Sequence, residues 1–378
     1  MEIKPSRLFI NSEQVGEKVS IRLPGFKGEG EETFIHYLES GIGEPLILVH
    51  GIGQSLYTWR NVFAELSENY RVIAIDLPGH GYSGRPESLN YSMDSMADVL
   101  RAFMDAKGLE SAHMIGFSTG AMYVLRFLSL YEDRVANCVV IAPGGITDRM
   151  PALVRRIGRP FRSVFARNLF TANDVRKLLY ECFYDEDKVD DKVVRQYYQP
   201  VSDGLSREAL MYAIRNFDMD TVAEGLVDLD HEILVLWGKE DDWHPPVGSV
   251  YFQNVLRSGR YYLIKRTGHL VQEENPDKFL DVILSYIPPT DPGYRAYDFK
   301  ESVGGHGIDP EMIPEGGIPI HADPAAYEED TKVEPLEGFS DEAITRCVVS
   351  VCDAVTNHED NAPAEEENNS DTSEETQV

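Results

Sequence analysis

Short apolar runs rich in β-branched residues recur through the first three quarters of the chain, separated by longer stretches of helical periodicity. This alternation restricts the fold more than any other feature. A strand without polar alternation has to be buried on both faces, which a parallel sheet covered by helices provides. Leu46–Val49, Val72–Ile75, Met114–Gly116, Val139–Ala142, Ile233–Trp237 and Tyr261–Ile264 are such runs. Val19–Leu23 and Thr33–Leu38 alternate in polarity and suit an exposed hairpin. The expectation is an α/β protein with a mostly parallel, eight-stranded sheet. Helices are expected at Ser92–Ala106, Gly120–Ser129, Val247–Leu256 and Pro276–Ile287. Asn275 is placed to cap the last of these, and Pro276 fits its first turn, where a missing N–H leaves nothing unpaired.

The alternation stops between Ala142 and Ile233. The 90 residues from Pro143 to Glu232 are helical in pattern and aromatic-rich, too long for a plain connection. A helical insertion over residues 144–230 is expected, dividing the catalytic core into residues 1–143 and 231–289. From 290 the composition changes again: residues 290–378 hold 23 acidic against 4 basic side chains and so carry -19 of the formal net charge of -29. Eight prolines fall between Pro288 and Pro335. Residues 357–378 bury too little apolar surface to offset chain entropy and should be disordered. Ile344, Cys347, Val348, Val351, Cys352 and Val355 recur at helical spacing, which predicts a short amphipathic helix over Ala343–Val355.

The body left after the acidic tail is only mildly acidic, which argues against nucleic acid as a partner, since phosphate binding needs a positive face. Cys138, Cys182, Cys347 and Cys352 are too few and scattered for a disulfide framework, and no C-x-x-C pair points to zinc or thiol redox chemistry. The N-terminus lacks the apolar core of a signal peptide, and no apolar run approaches the ~20 residues that span a bilayer. A cytoplasmic protein without an integral membrane segment is therefore expected.

The strand at Met114 runs into Gly116-Phe117-Ser118-Thr119-Gly120 and at once into a helical pattern. A sharp turn there lifts the Ser118 hydroxyl above the sheet, and the glycines let strand and helix pass closely. A serine hydroxyl is a weak nucleophile and needs a base and a group that holds the base in one tautomer. Both follow in chain order. Trp237-Gly238-Lys239-Glu240-Asp241 ends one strand, and Gly268-His269-Leu270 follows the next. Asp242 competes with Asp241 for the orienting role, and the W-G-x-x-D spacing favours Asp241. His50-Gly51-Ile52-Gly53 lies after the strand Leu46–Val49, and the backbone N–H groups of Ile52 and Thr119 are the candidate donors for a developing oxyanion.

As a set, H-G-x-G, D-L-P-G-H-G-Y-S from Asp76 to Ser83, G-F-S-T-G, W-G-x-x-D and G-H-x-x-x-x-E-x-P resemble the α/β-hydrolase superfamily with an inserted cap. The resemblance covers residues ~20 to 289, and the pentapeptide is similar to that of cofactor-free haloperoxidases and arylesterases. It implies Ser118 as nucleophile, His269 as base and Asp241 as orienting acid, with no metal or organic cofactor. The expected activity is cleavage of an ester or related acyl bond in a small, largely apolar molecule. The alternatives are a C–C bond hydrolase, a thioesterase, a proline iminopeptidase-like peptidase or, without catalysis, a ligand receptor or scaffold.

Other features take plainer readings. Gly79-His80-Gly81-Tyr82-Ser83-Gly84 fits G-x-G-x-x-G, but Arg85-Pro86-Glu87-Ser88 stands where a dinucleotide fingerprint needs a helix to open. His50 is read as shaping the oxyanion loop, with His80, His113 and His244 as bystanders and Glu274 as a structural hydrogen-bonding group. Six arginines from Arg149 to Arg167 without an acid form either a solvated helix face, an electropositive entrance for acidic substrates or a docking surface for the acidic tail. Phe161, Phe165, Phe170, Phe183, Tyr184, Tyr197 and Tyr198 would supply an apolar lid or simply pack the insertion on the body.

Overall fold

The computed structural model describes residues 16–23, 30–144, 171–202, 204–227 and 229–289. Eight strands, β1 (Glu17–Leu23), β2 (Glu31–Ser40), β3 (Pro45–Val49), β4 (Arg71–Ile75), β5 (Ala112–Phe117), β6 (Val135–Ile141), β7 (Ile233–Gly238) and β8 (Gly259–Ile264), form one sheet in the order β1-β2-β4-β3-β5-β6-β7-β8. Pairing is antiparallel for β1 with β2 and β2 with β4, and parallel across the rest. The apolar runs of β3 to β7 sit where the sheet needs them, but the Tyr261–Ile264 run forms the edge strand β8 and is half-buried except at Ile264. β5 and β7 are buried at every residue, and β3 and β4 at all but the first.

The exposed hairpin is only half right. β1 is an edge strand, but β2 lies second in the sheet, with Tyr37 paired to Ile75, and Ile35–Leu38 are buried. Its polarity survives burial because the His36 ring pairs with Asp76 at 2.8 Å.

Helices α1 (Phe63–Leu66), α2 (Met93–Ala106) and α3 (Thr119–Leu130) follow β3, β4 and β5 in the chain, α3 packing on β5 and β6. Ser92 starts α2 by accepting from the Ser95 amide (3.3 Å), and Met93, Met96, Ala97, Leu100, Phe103 and Met104 line its buried face at helical spacing. Gly108 ends it at φ 64°, so that the Leu109 amide turns back to the Met104 carbonyl (2.9 Å). Between β6 and β7 stand α4 (Ala172–Cys182), α5 (Asp191–Tyr198), α6 (Gly204–Arg215) and α7 (Met219–Leu226), all inside the stretch where the strand alternation stops. α8 (Ser249–Val255), α9 (Val271–Glu274) and α10 (Pro276–Tyr286) complete the body. Pro276 opens α10 as expected, but the Asn275 side chain does not cap it and donates instead to Thr267 Oγ1 (3.3 Å).

No helix among the described residues is long and apolar enough to cross a membrane. The Arg149–Arg167 run, Phe161, Phe165, Phe170, the acidic tail and the helix expected over 343–355 lie outside the described residues.

Candidate active site

The parallel strands present their C-terminal ends along one edge, and the loops leaving β3, β5, β7 and β8 meet there. Ser118 joins β5 to α3 with φ 53° and ψ -121°, its amide held by the Ile141 carbonyl (2.8 Å). Such a backbone costs a non-glycine residue about 1–3 kcal/mol and persists only where its surroundings enforce it. The flanking glycines enforce it. A Cβ on Gly116 would lie 2.6 Å from Ala121 Cα, and one on Gly120 would lie 2.2 Å from the His50 carbonyl oxygen. α3 therefore presses against β3 and β5 as no larger residue would allow.

Ser118 Oγ lies 3.1 Å from His269 Nε2, and His269 Nδ1 lies 2.7 Å from Asp241 Oδ2. A carboxylate only accepts, so the proton belongs on Nδ1 and the bare Nε2 faces the serine. Asp241 is fixed in turn by the His244 amide on Oδ1 (2.7 Å) and the Trp237 indole N–H on Oδ2 (3.0 Å). Asp242 is exposed and takes no part in this line. Ser118, Asp241 and His269 are 4%, 2% and 3% exposed, so their mutual interactions are weakly screened. The His269 ring is also packed by Phe117, His244 and Trp243, with centroids at 4.8, 4.9 and 6.3 Å.

The loop after β3 lies against the serine: a Cβ on Gly51 would meet Ser118 Cβ at 3.0 Å. His50 holds this loop, accepting from the Leu77 amide at Nε2 (3.0 Å) and facing the Gly51 carbonyl through Nδ1 (2.7 Å). Burial keeps it below the usual histidine range and hence neutral. Ile52 follows directly, and Thr119 opens α3 on the other side of Ser118. Behind the loop, His80 is pushed down to about 4 by burial and by the neighbouring His50 ring. Asp76 organises the following turn by accepting from the amides of Leu56 (2.7 Å) and Tyr82 (2.9 Å). The glycine pattern there serves this turn, and the next helix opens only at Met93.

The contacts that fasten the covering helices to the site leave no mark in the sequence. The His269 amide donates to the Cys182 carbonyl at the end of α4 (2.7 Å). Glu274 accepts from the amides of Gly268 (2.6 Å) and Asp185 (2.7 Å), and Lys188 Nζ reaches its carbonyl (2.5 Å). The structural reading of Glu274 thus gains specific partners. Its neighbour Glu273, buried, pairs with Arg60 (2.5 Å) and accepts from Thr58 Oγ1 (2.7 Å) and from the Tyr197 hydroxyl of α5. From the other side, Leu210 of α6 lies near Gly53. His244, read as a bystander, stands against His269. Nothing in linear spacing announces these contacts, since Tyr197 and Glu273 are 76 residues apart. Among the described residues, no three His, Cys, Asp or Glu side chains are grouped to hold a metal ion.

A serine on a strained strand-to-helix turn, with an imidazole and a buried carboxylate behind it at the C-terminal edge of an eight-stranded, mostly parallel sheet, defines a hydrolase class. The family model described as alpha/beta hydrolase fold matches residues 44–276, and the chain belongs to that family. It is 27% identical over 271 residues to 2-hydroxy-6-oxo-2,4-heptadienoate hydrolase of Pseudomonas putida, covering 69% of this chain and 95% of that one. It is 28% identical over 290 residues to 2-hydroxymuconate semialdehyde hydrolase of Pseudomonas sp. strain CF600, covering 74% and 96%. Among solved structures, a meta-cleavage product hydrolase from Pseudomonas fluorescens IP01 superposes with a TM-score of 0.59 at 26% identity, covering 71% and 97%.

Proposed function

We propose that Ser118 is the nucleophile, His269 the general base and Asp241 its orienting acid, and that the bond cleaved is a C–C bond beside a ketone in a small dienoic acid. The observation that carries the chemistry is the hydrogen-bonded line from Ser118 Oγ through His269 to Asp241. The bond type rests on the relatives. A 2-hydroxy-6-oxo-2,4-dienoate holds neither ester nor amide, so hydrolysing it means breaking a C–C bond. The sequence alone put an ester first; these relatives favour its C–C alternative.

Moving the 2-hydroxyl proton of such a molecule to C5 gives a 2,6-dioxo tautomer. Ser118 Oγ adds to C6 while His269 takes its proton, and charge develops on the C6 oxygen beside the amides of Ile52 and Thr119. Collapse re-forms the C6 carbonyl as an ester of Ser118 and expels C5 with the bonding pair, delocalised through the C3–C4 double bond onto the 2-oxo group. The proton on His269 passes to the leaving fragment. Water, deprotonated by His269, then frees the acid and restores Ser118.

The test sets 2-hydroxy-6-oxo-2,4-heptadienoate, followed by loss of its conjugated absorbance, beside p-nitrophenyl butyrate. Turnover of both is expected, with kcat/KM at least about tenfold higher for the dienoate and both activities lost in Ser118→Ala. Turnover of the ester alone would return the reading to an ester hydrolase. Binding of the dienoate with no turnover of either compound would favour a receptor.

A further inference from the structure

His244 leaves the loop after β7 three residues beyond Asp241, and its backbone is pinned at both ends: its amide donates to Asp241 Oδ1, and its carbonyl accepts from Trp237 Nε1 (2.7 Å each). The ring then stands nearly perpendicular to that of His269, centroids 4.9 Å apart. Its Cε1 is 3.2 Å from where a Cβ on Gly144 would be, a point that lies 3.4 Å from the Thr119 amide nitrogen and 3.5 Å from the Ser118 carbonyl carbon. His244 thus packs on Gly144, whose amide in turn donates to the Ser118 carbonyl (3.3 Å), and stands on the β6–β7 side of the nucleophile turn, across from the His50–Gly53 loop on β3. Its Nδ1 is buried, with no hydrogen-bond partner among the described residues. Burial and the nearby His269 hold the ring well below the usual histidine range, so it is neutral and offers one donor and one acceptor. A buried nitrogen left unpaired is unfavourable, and a bound molecule carrying a suitable polar atom would relieve it.

We propose that His244 contacts the substrate: its imidazole hydrogen-bonds an oxygen carried close to the scissile carbonyl, so that the site selects substrates with a polar atom there over purely apolar ones. This rests on the reading of Ser118 as nucleophile. Sites built around a hydrogen bond discriminate strongly against analogues that leave the protein group unpaired.

Two isosteric ester pairs test it, p-nitrophenyl methoxyacetate against p-nitrophenyl butyrate for an oxygen on the acyl side, and 2-methoxyethyl against n-butyl benzoate for one on the leaving side. The kcat/KM ratio within each pair cancels intrinsic reactivity when wild type is compared with His244→Phe, which keeps a ring against His269, and His244→Gln, which restores a hydrogen-bonding group. Active protein is counted by fluorophosphonate titration of Ser118. In His244→Phe the preference for the oxygen-bearing ester of one pair should fall about tenfold and return in part with glutamine, while the pH midpoint of kcat/KM stays in place. Should the phenylalanine variant not fold, His244→Leu reads the same ratios. Ratios within twofold of wild type in both pairs overturn the proposal, as does a pH midpoint that moves equally for all esters, which would make His244 a positioning residue for His269. If neither ester nor fluorophosphonate modifies Ser118, the nucleophile reading falls and takes this proposal with it.

Discussion

The sheet edge that carries Ser118, Asp241 and His269 and the helices of residues 171–227 that stand over it are built by different means. At the sheet edge, β5 and β7 are buried throughout, and the loops leaving them are held by backbone hydrogen bonds and close glycine contacts. Among the helices, α4 buries only Val175 and Leu179, while Tyr184, Leu205, Tyr212 and Val227 are exposed. Polar contacts from Cys182, Asp185, Lys188 and Tyr197 to the His269 loop and α9, and from Ser206, Asn216 and Thr221 to Arg85, Asn90 and Arg126, fasten them beside buried apolar side chains such as Val193, Val194, Ala213 and Leu226. The difference assigns precision to the sheet edge and coverage to the helices. It also makes the two separable by mutation.

The largest separation lies inside the sheet-edge loop itself. Asp241→Asn should lower kcat by about 10⁴-fold, because the amide favours the wrong imidazole tautomer, while Asp242→Asn stays within about threefold. Steady-state kinetics on one ester decides this. Comparable losses from both would mean that the line through His269 does not set the rate.

Next comes the joint between the two regions. Glu273→Ala strands the Arg60 guanidinium in a buried place, and loss of one partner of such a pair costs about 3–5 kcal/mol. A urea midpoint lowered accordingly is expected. An unchanged midpoint would show that the joint contributes little to folding.

The histidines behind the oxyanion loop give the body a dependence on acid. His80 has a folded value of about 4 against an ordinary 6.5, so between those two pH values the unfolded chain binds a proton that the folded chain refuses. Stability should therefore be full above pH 6.5, fall as pH drops toward 4 by about 3 kcal/mol from this residue, and level off below. Burial shifts His50 and His244 the same way. Urea unfolding at pH 7, 5.5 and 4.5 should show a flatter slope in His80→Asn, and an identical slope would remove His80 from the account.

The smallest effect expected is from the helical side alone. Tyr197→Phe removes one hydrogen bond to Glu273 but leaves its ion pair with Arg60 and the packing of the ring on Tyr57, and should cost about 1–2 kcal/mol. A loss as large as that from Glu273→Ala would erase the distinction between the sheet edge and its cover.

What could be read from the chain and what could not follows the same division. The strands, and the strand ends that bring Ser118 and His269 together, were legible because a parallel sheet writes buried strands as apolar runs and places its loops in order along one edge. Asp241 was favoured by spacing, but its separation from Asp242 needs the carboxylate's own partners, the His244 amide and the Trp237 indole. The burial of β2 was missed because its partner β4 is 40 residues away at the His36–Asp76 contact, and a buried histidine reads as a polar one until that partner is known. Glu273, Arg60 and Tyr197 come from three separate segments and leave no local periodicity. Asn275 was assigned a capping role from residue type, whereas tertiary contact with Thr267 takes its side chain.

The claim on which the rest depends is that Ser118 forms a covalent adduct. Rapid quenching during reaction with p-nitrophenyl butyrate, followed by peptide mass spectrometry, should place a butyryl group on Ser118 in the wild-type protein. It should find none in a folded Ser118→Ala variant. A butyryl group on another residue, or one that persists in Ser118→Ala at the wild-type rate, would contradict it.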